Sequence, residues 1–248
     1  MKEKSKVRQQ IGFGVLLVVL SAFFYAVHFL LFHDSHHIFI YLVGDIAFVP
    51  IEVLLVTVII HKLLEARDKR AMLRKMNMVI GAFFSEIGTE LLGYFRGFEK
   101  KDVETPGILV DGNWKDEDFD KIAKSLKKID YSLDAKAGDL KGLQEFMKEK
   151  RSFLVGLLEN PNLLEHDLFT NTLWAVFHLA DELSHRGSVD SLPENDYKHL
   201  AGDIKRAYRL LIRQWLDYLK HLKDDYPYLF SLAIRTNPFN PQASVEVK

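Results

Sequence analysis

Apolar positions follow two different rules along this chain. As far as Ile60 they form two long runs, and beyond it they recur every three or four residues. Ile11–Phe32 is apolar apart from Ser21, Tyr25 and His28, and Ile38–Ile60 is interrupted by Asp45, Pro50 and Glu52. At about 1.5 Å per residue, each run as a helix matches the roughly 30 Å hydrocarbon core of a bilayer. Only His33-Asp34-Ser35-His36-His37 separates them, which predicts a tight transmembrane helical hairpin over 11–60. A cleavable signal peptide is the competing reading of the first run. That run exceeds the usual ~7–15 residue apolar region and no A-x-A site follows, so an uncleaved anchor is expected.

Beyond the hairpin, Leu73, Asn77, Ile80, Phe84, Ile87, Leu91, Tyr94 and Phe98 form a heptad-like stripe that predicts a juxtamembrane stalk helix over 61–104. The stripe fits an intersubunit coiled coil or packing within the chain; its aromatic knobs favour the latter. Thr105-Pro106-Gly107 ends the stalk, and a cytoplasmic helical bundle is expected over 105–236. Its helices are predicted at 114–129, with Asn113 as N-cap, and at 139–158, 163–186 and 192–223, the last opened by a Ser191–Glu194 capping box. Leu200, Ile204, Ala207, Tyr208, Leu211, Trp215, Leu219 and Leu222 make the apolar stripe of that last helix, and Arg206, Arg209, Arg213 and Lys220 read as its solvated side. Tyr226–Ile234 is too apolar to hang free and should dock as a short helix, leaving 237–248 as a flexible tail. The fold class is all-α.

Charge sharpens this picture. With 33 Lys and Arg against 34 Asp and Glu, the chain is near neutral, which argues against a nucleic-acid partner. Its distribution is uneven, because no Lys or Arg lies between Arg8 and Lys62. The basic tail 1–10 and the cluster after the second span flank a turn without basic residues, so both termini are expected in the cytoplasm and the protein in the cell membrane. Arg67, Lys69, Arg70, Arg74 and Lys75 stand where they would meet lipid headgroups, or serve topology alone. Cysteine is absent, which excludes disulfides, thiolate metal sites and a cysteine nucleophile.

Three groups of residues carry candidate chemistry. Asp45 and Glu52, seven apart, project from one helix face, and each costs about 2.5–3.5 kcal/mol near the middle of a span. In an antiparallel hairpin Asp45 lies near the level of Tyr25 and His28, whereas no basic residue of the first span reaches Glu52. These acids serve as neutral packing groups, for instance between copies of a homo-oligomer, or line a proton or cation path. In the turn, His33, Asp34, His36 and His37 read either as an external metal or pH site or as a polar headgroup turn. On the 163–186 helix, Trp174, His178, Asp181, Glu182 and His185 share a side opposite the apolar face. Glu182-x-x-His185 has the spacing of di-iron bundles but lacks a second copy, so an interaction surface is the stronger reading.

His33-Asp34-Ser35-His36-His37, Gly44 through Glu52, and Tyr226-Pro227-Tyr228-Leu229-Phe230 with Asn237-Pro238-Phe239 resemble the corresponding runs of prokaryotic two-span membrane proteins of unknown function. The resemblance implies the two-span architecture with a helical cytoplasmic domain, and brings no activity, cofactor or catalytic residue with it. The expected function is a membrane-anchored helical interaction or signalling module that meets a cytoplasmic protein, with no cofactor and no evident catalysis. The alternatives are a small ion- or proton-conducting oligomer built on Asp45 and Glu52, and a metal-dependent helical-bundle enzyme.

Overall fold

The computed structural model describes residues 2–100, 108–161, 163 and 166–246. The expected break at Thr105-Pro106-Gly107 lies outside them. The fold is all-α; the one β-type pairing among the described residues is an isolated bridge between Glu99 and Leu133. The chain divides into two compact units, Met1–Asp68 and Lys69–Lys248.

The first unit holds α1 (Lys2–Phe32) and the first part of α2 (Ser35–Phe83). A two-residue connection suffices because each of its residues has a terminal role. His33 takes a left-handed conformation, φ 51°, while its amide still donates to the Phe29 carbonyl at 2.9 Å, which ends α1. Asp34 then accepts the His37 amide at 3.1 Å and opens α2. Both helices are long and apolar enough to cross a membrane, and their apolar side chains are not covered within the unit. Pro50 sits inside α2, where its missing N–H removes one backbone donor.

In the second unit, α2 runs on into a π-helical turn, Phe84–Gly88, and α3 (Thr89–Gly97). Then come α4 (Asp116–Leu126), α5 (Leu140–Leu158), α6 (Asp167–Ser184), α7 (Glu194–Asp225) and α8 (Pro227–Arg235). The central element is α7, which packs against the π turn, α3, α4, α6 and α8, while α5 packs on α6. The whole apolar stripe of α7 from Leu200 to Leu222 is buried. So are Met76, Ile80, Phe83, Phe84, Ile87, Leu91 and Phe98, with Phe84 stacked on Tyr218 and Phe83 edge-on to Phe169. The aromatic knobs of the expected stalk are therefore spent inside the chain, and from Met76 onward the stalk is part of the bundle.

The π turn brings two aromatic rings close over a glycine. A Cβ on Gly88 would lie 2.6 Å from Phe84 Cδ1 and 2.9 Å from Phe83 Cε1, and both rings are pinned by their other neighbours. The widened turn is closed by Thr89, whose amide and hydroxyl both donate to the Phe84 carbonyl. Gly88→Ala is expected to cost about 1–3 kcal/mol by overpacking. Gly93→Ala, on an exposed position of α3 with open space around it, should stabilise by about 0.5–1 kcal/mol. Thermal melts of the two variants should move in opposite directions; a shared direction would remove the packing account of the turn.

Three local expectations need correction. Asn113 does not cap α4: its amide closes a turn on Asp111 Oδ1 at 2.7 Å, and the helix instead opens at Lys115, whose amide donates to Asp118 Oδ2 at 2.9 Å. Ser191 and Glu194 form no capping box, because Pro193 is the N-cap of α7 and Glu194 turns to Lys136. The segment expected as a flexible tail is anchored at its start. Asn237 is buried, donating to the Ile108 carbonyl at 2.8 Å and accepting the Phe239 amide at 2.9 Å. Phe239 is buried on Trp215 and beneath Arg96, whose guanidinium also donates to the Pro238 carbonyl. Two well-placed side chains hold a segment whose average composition reads as loose.

Candidate functional site

Between α6 and α7 a network of charged side chains interrupts the apolar contact. Each helix presents a histidine and a carboxylate four residues apart, His178 and Glu182 on α6 and His199 and Asp203 on α7, so that each pair shares a face. At the centre is Asp203, only 4% exposed. Its Oδ2 stands 3.2 Å from His199 Nε2 and 3.6 Å from His178 Nε2, and its Oδ1 is 3.4 Å from Arg206. Among the described residues Oδ2 makes no hydrogen bond, and the Arg206 guanidinium supplies a fixed counter-charge at the other oxygen. Glu182 Oε2 accepts from Arg186 at 2.7 Å and lies 3.7 Å from His199 Nε2. The Arg186 hydrogen bond holds the Glu182 carboxyl below its ordinary pKa. Arg186 also approaches Asp196 at 3.6 Å, which closes the network along α7.

The face expected from the sequence thus divides in two. His178 and Glu182 turn towards α7. Asp181 turns towards α5, where it meets Arg151 at 3.1 Å, and His185 Nδ1 stays on its own helix, 2.8 Å from the Asp181 carbonyl. Glu182 and His185 therefore do not act as a pair, which corrects the Glu-x-x-His reading. Among the described residues no group of three or more His, Asp or Glu side chains is placed to hold a metal ion. Trp174 is 54% exposed, its ring edge-on to that of Phe177, itself covered by the Arg151 guanidinium. His199, Asp203, Arg186 and Arg206 were not expected as site residues. A signal for one of them was present: Asp203 falls inside the apolar stripe between Leu200 and Ile204, where a carboxylate needs partners.

In the first unit, α1 and α2 enclose an open cleft of about 460 Å³ lined by Ser21, Phe24, Tyr25, His28, Ile38, Tyr41 and Asp45. The expected neighbours Tyr25, His28 and Asp45 are brought to one cleft. His28 Nδ1 is buried there without a hydrogen-bond partner among the described residues, its ring 4.8 Å from that of Phe32. Glu52 does not line the cleft, and it has no hydrogen bond or ion pair among the described residues. The histidine turn does not form one helical face, because His33 lies outside both helices with its positive φ while His36 and His37 begin α2. The His37 amide holds the Asp34 carboxyl below its ordinary pKa, which is the electrostatics of a helix cap. Arg67, Lys69, Arg70, Arg74 and Lys75 on α2 are all exposed.

Two regions of the chain match known families, and their boundary coincides with the division between the units. Residues 3–64 match the family described as MJ1433, N-terminal helical domain, and residues 72–235 match Uncharacterized protein MJ1433, C-terminal helical domain. Uncharacterized protein MJ1433 of Methanocaldococcus jannaschii is 43% identical over 238 residues, which is 96% of this chain and 96% of that protein. No solved structure matches the chain. With both domains present in order and near-complete coverage of a relative, the chain belongs to the MJ1433 family of helical proteins.

Proposed function

We propose that the protein is a membrane-anchored interaction module, in which a two-span hairpin tethers a helical bundle to the cytoplasmic face of the cell membrane. One contrast carries the reading. In the second unit most large apolar side chains are buried, with a few such as Met78 and Trp174 exposed, whereas in the first they stand open along both helices, as with Leu30 at 67% and Leu31 at 69% exposed. Each such side chain left in water forfeits about 1.5–3 kcal/mol, and a bilayer removes that penalty for both helices at once. Arg67, Lys69, Arg70, Arg74 and Lys75 then meet anionic headgroups. Glu52, without a partner among the described residues, faces a second copy, and exposed Trp174 belongs to the surface that meets a cytoplasmic partner.

The chain has no cysteine, so introduced thiols report topology cleanly. In whole cells a membrane-impermeant thiol reagent should label Ser35→Cys and should reach Ser231→Cys only after permeabilisation. Labelling of Ser231→Cys alone in intact cells would invert the topology, and recovery of the chain in the soluble fraction would end the anchoring proposal.

A second reading, a proton or cation path, draws on the cleft that gathers Ser21, Tyr25, His28, Tyr41 and Asp45 around an unsatisfied imidazole nitrogen. Flux through reconstituted protein that Asp45→Asn abolishes would favour it; absence of flux over a range of pH and voltage would remove it.

A further inference from the structure

Where α4 and α7 meet, on the flank of α7 next to the Asp203 network, the bundle has a cavity of about 260 Å³. Ala123, Leu126 and Leu210 form its apolar wall, and Lys127, Arg206, Arg209 and Arg213 supply four positive charges around it. The arrangement follows from local geometry. Arg206, Arg209, Leu210 and Arg213 are three or four residues apart and so line one side of α7, while Lys127 is the residue on which α4 ends.

Such a concentration of cations is not a by-product of composition, because the chain has a formal net charge of −1. Nor are the cations neutralised in place. Arg206 is ion-paired to Asp203, but among the described residues Lys127, Arg209 and Arg213 have no carboxylate within 4.0 Å. The carboxylates they influence, Asp130 for Arg209 and Asp217 for Arg213, act from farther away. The carbonyl end of α4 accounts for about half a negative charge, which one of the four cations offsets. What remains is a positive recess with an apolar floor, on a protein that elsewhere pairs many of its charges.

We propose that this cavity binds a small phosphate-bearing ligand. Guanidinium forks match phosphate oxygens two at a time, so Arg209 and Arg213 grip the phosphate group, Lys127 adds a point charge, and Ala123, Leu126 and Leu210 take the organic part. The volume sets the size. It lies below the roughly 300–1,000 Å³ of pockets for drug-sized ligands, so the ligand is a compact phosphoester or diphosphate. A soluble phosphorylated metabolite and a phospholipid headgroup share this chemistry. The inference stands on the second unit alone and does not depend on the anchoring proposal.

The test uses the full chain in an uncharged detergent at about 50 mM salt, where phosphate contacts are little screened. Titration calorimetry with sodium pyrophosphate and, separately, with dihexanoyl phosphatidic acid provides the two arms. Saturable binding of pyrophosphate that weakens about tenfold or more in Arg209→Ala/Arg213→Ala, and is unchanged in the exposed control Lys141→Ala, supports a soluble ligand. The same pattern with phosphatidic acid alone assigns the headgroup. Both arginines are exposed and sit in a helix, so the double variant should fold, with its melting curve as the check; Arg209→Gln/Arg213→Gln replaces it if the melt falls. No saturable binding in either arm, or binding of equal strength in the double variant, overturns the proposal.

Discussion

Trp215→Ala is expected to destabilise the helical bundle by about 3–5 kcal/mol, the range for removing a large aromatic side chain from a packed core. Trp215 is 1% exposed on the central helix, and its ring meets Phe239 at a centroid distance of 5.3 Å. Alanine would leave a void at the point where α7, the central helix, holds the segment after α8. Phe239 would then lose its partner, and the Arg96 contact above its ring would loosen with it. For a unit of this size each kcal/mol lowers the melting temperature by about 2–4 °C, so the drop should be about 6–20 °C in the full chain in detergent. Trp174→Ala is the control. That ring is largely exposed and edge-on to Phe177, so its loss should stay within about 0.5 kcal/mol. A Trp215→Ala melt matching the parent would mean that the C-terminal segment and α7 share no core.

The contrast between these two tryptophans also shows what was legible in the sequence. Both occur in amphipathic helices, and helical periodicity alone placed Trp215 in the apolar stripe and Trp174 outside it. The starts and ends of α5 and α7 lie within two residues of expectation where proline, glycine or asparagine interrupts the pattern, whereas α6 starts four residues later than expected, at Asp167, where the His166 ring accepts the Phe169 amide. The caps were less legible. Ser191 matches a capping box in spacing, yet it lies two residues before the actual N-cap because Pro193 already sets the entry to α7. Asn237 and Phe239 were missed for a different reason. Their partners, Ile108 and Trp215, are remote or on another element, and a single anchored side chain has no period to detect.

The charged network between α6 and α7 was half legible. His178 and Glu182 were expected on a chemically interesting face, but which of the five residues on that side would converge depends on where α7 crosses α6. Periodicity within one helix contains no such information. Asp203 was the overlooked clue, since a carboxylate inside an apolar stripe must find counter-charges or be expelled to water. Here it finds the Arg206 guanidinium, with the His178 and His199 rings beside it. Arg206 also borders the α4–α7 cavity, so the network fixes one wall of the proposed phosphate site.

On the proposed two-span topology, Ala47→Arg is expected to keep the second span out of the bilayer, whereas Leu20→Arg in the first span should be tolerated. The asymmetry comes from what each span already carries. On insertion scales the Leu, Ile, Val and Phe side chains of either run contribute on the order of −5 to −9 kcal/mol. The first span has no charged residue to set against that sum, so one arginine at about 2.5–3.5 kcal/mol leaves it favourable. In the second span Asp45 and Glu52 together already consume about 5–7 kcal/mol, which brings it near zero, and an added arginine tips it out. Position 47 is close to the middle of the span and lies about 200° around the helix from Asp45, so the new cation cannot simply neutralise the existing acids. With only the first span inserted, the bundle would pass to the outer face. A reporter thiol at Ser231 should then become accessible in intact cells carrying Ala47→Arg and remain protected in those carrying Leu20→Arg. Adding Glu52→Leu to Ala47→Arg removes one buried acid and should restore protection. Were the helices in water instead, both arginines would be ordinary exposed substitutions and neither would change labelling. The proposed contact of Glu52 with a second copy forms after insertion and so does not lower this cost; protection that survives Ala47→Arg in a membrane-bound chain would contradict the marginal second span.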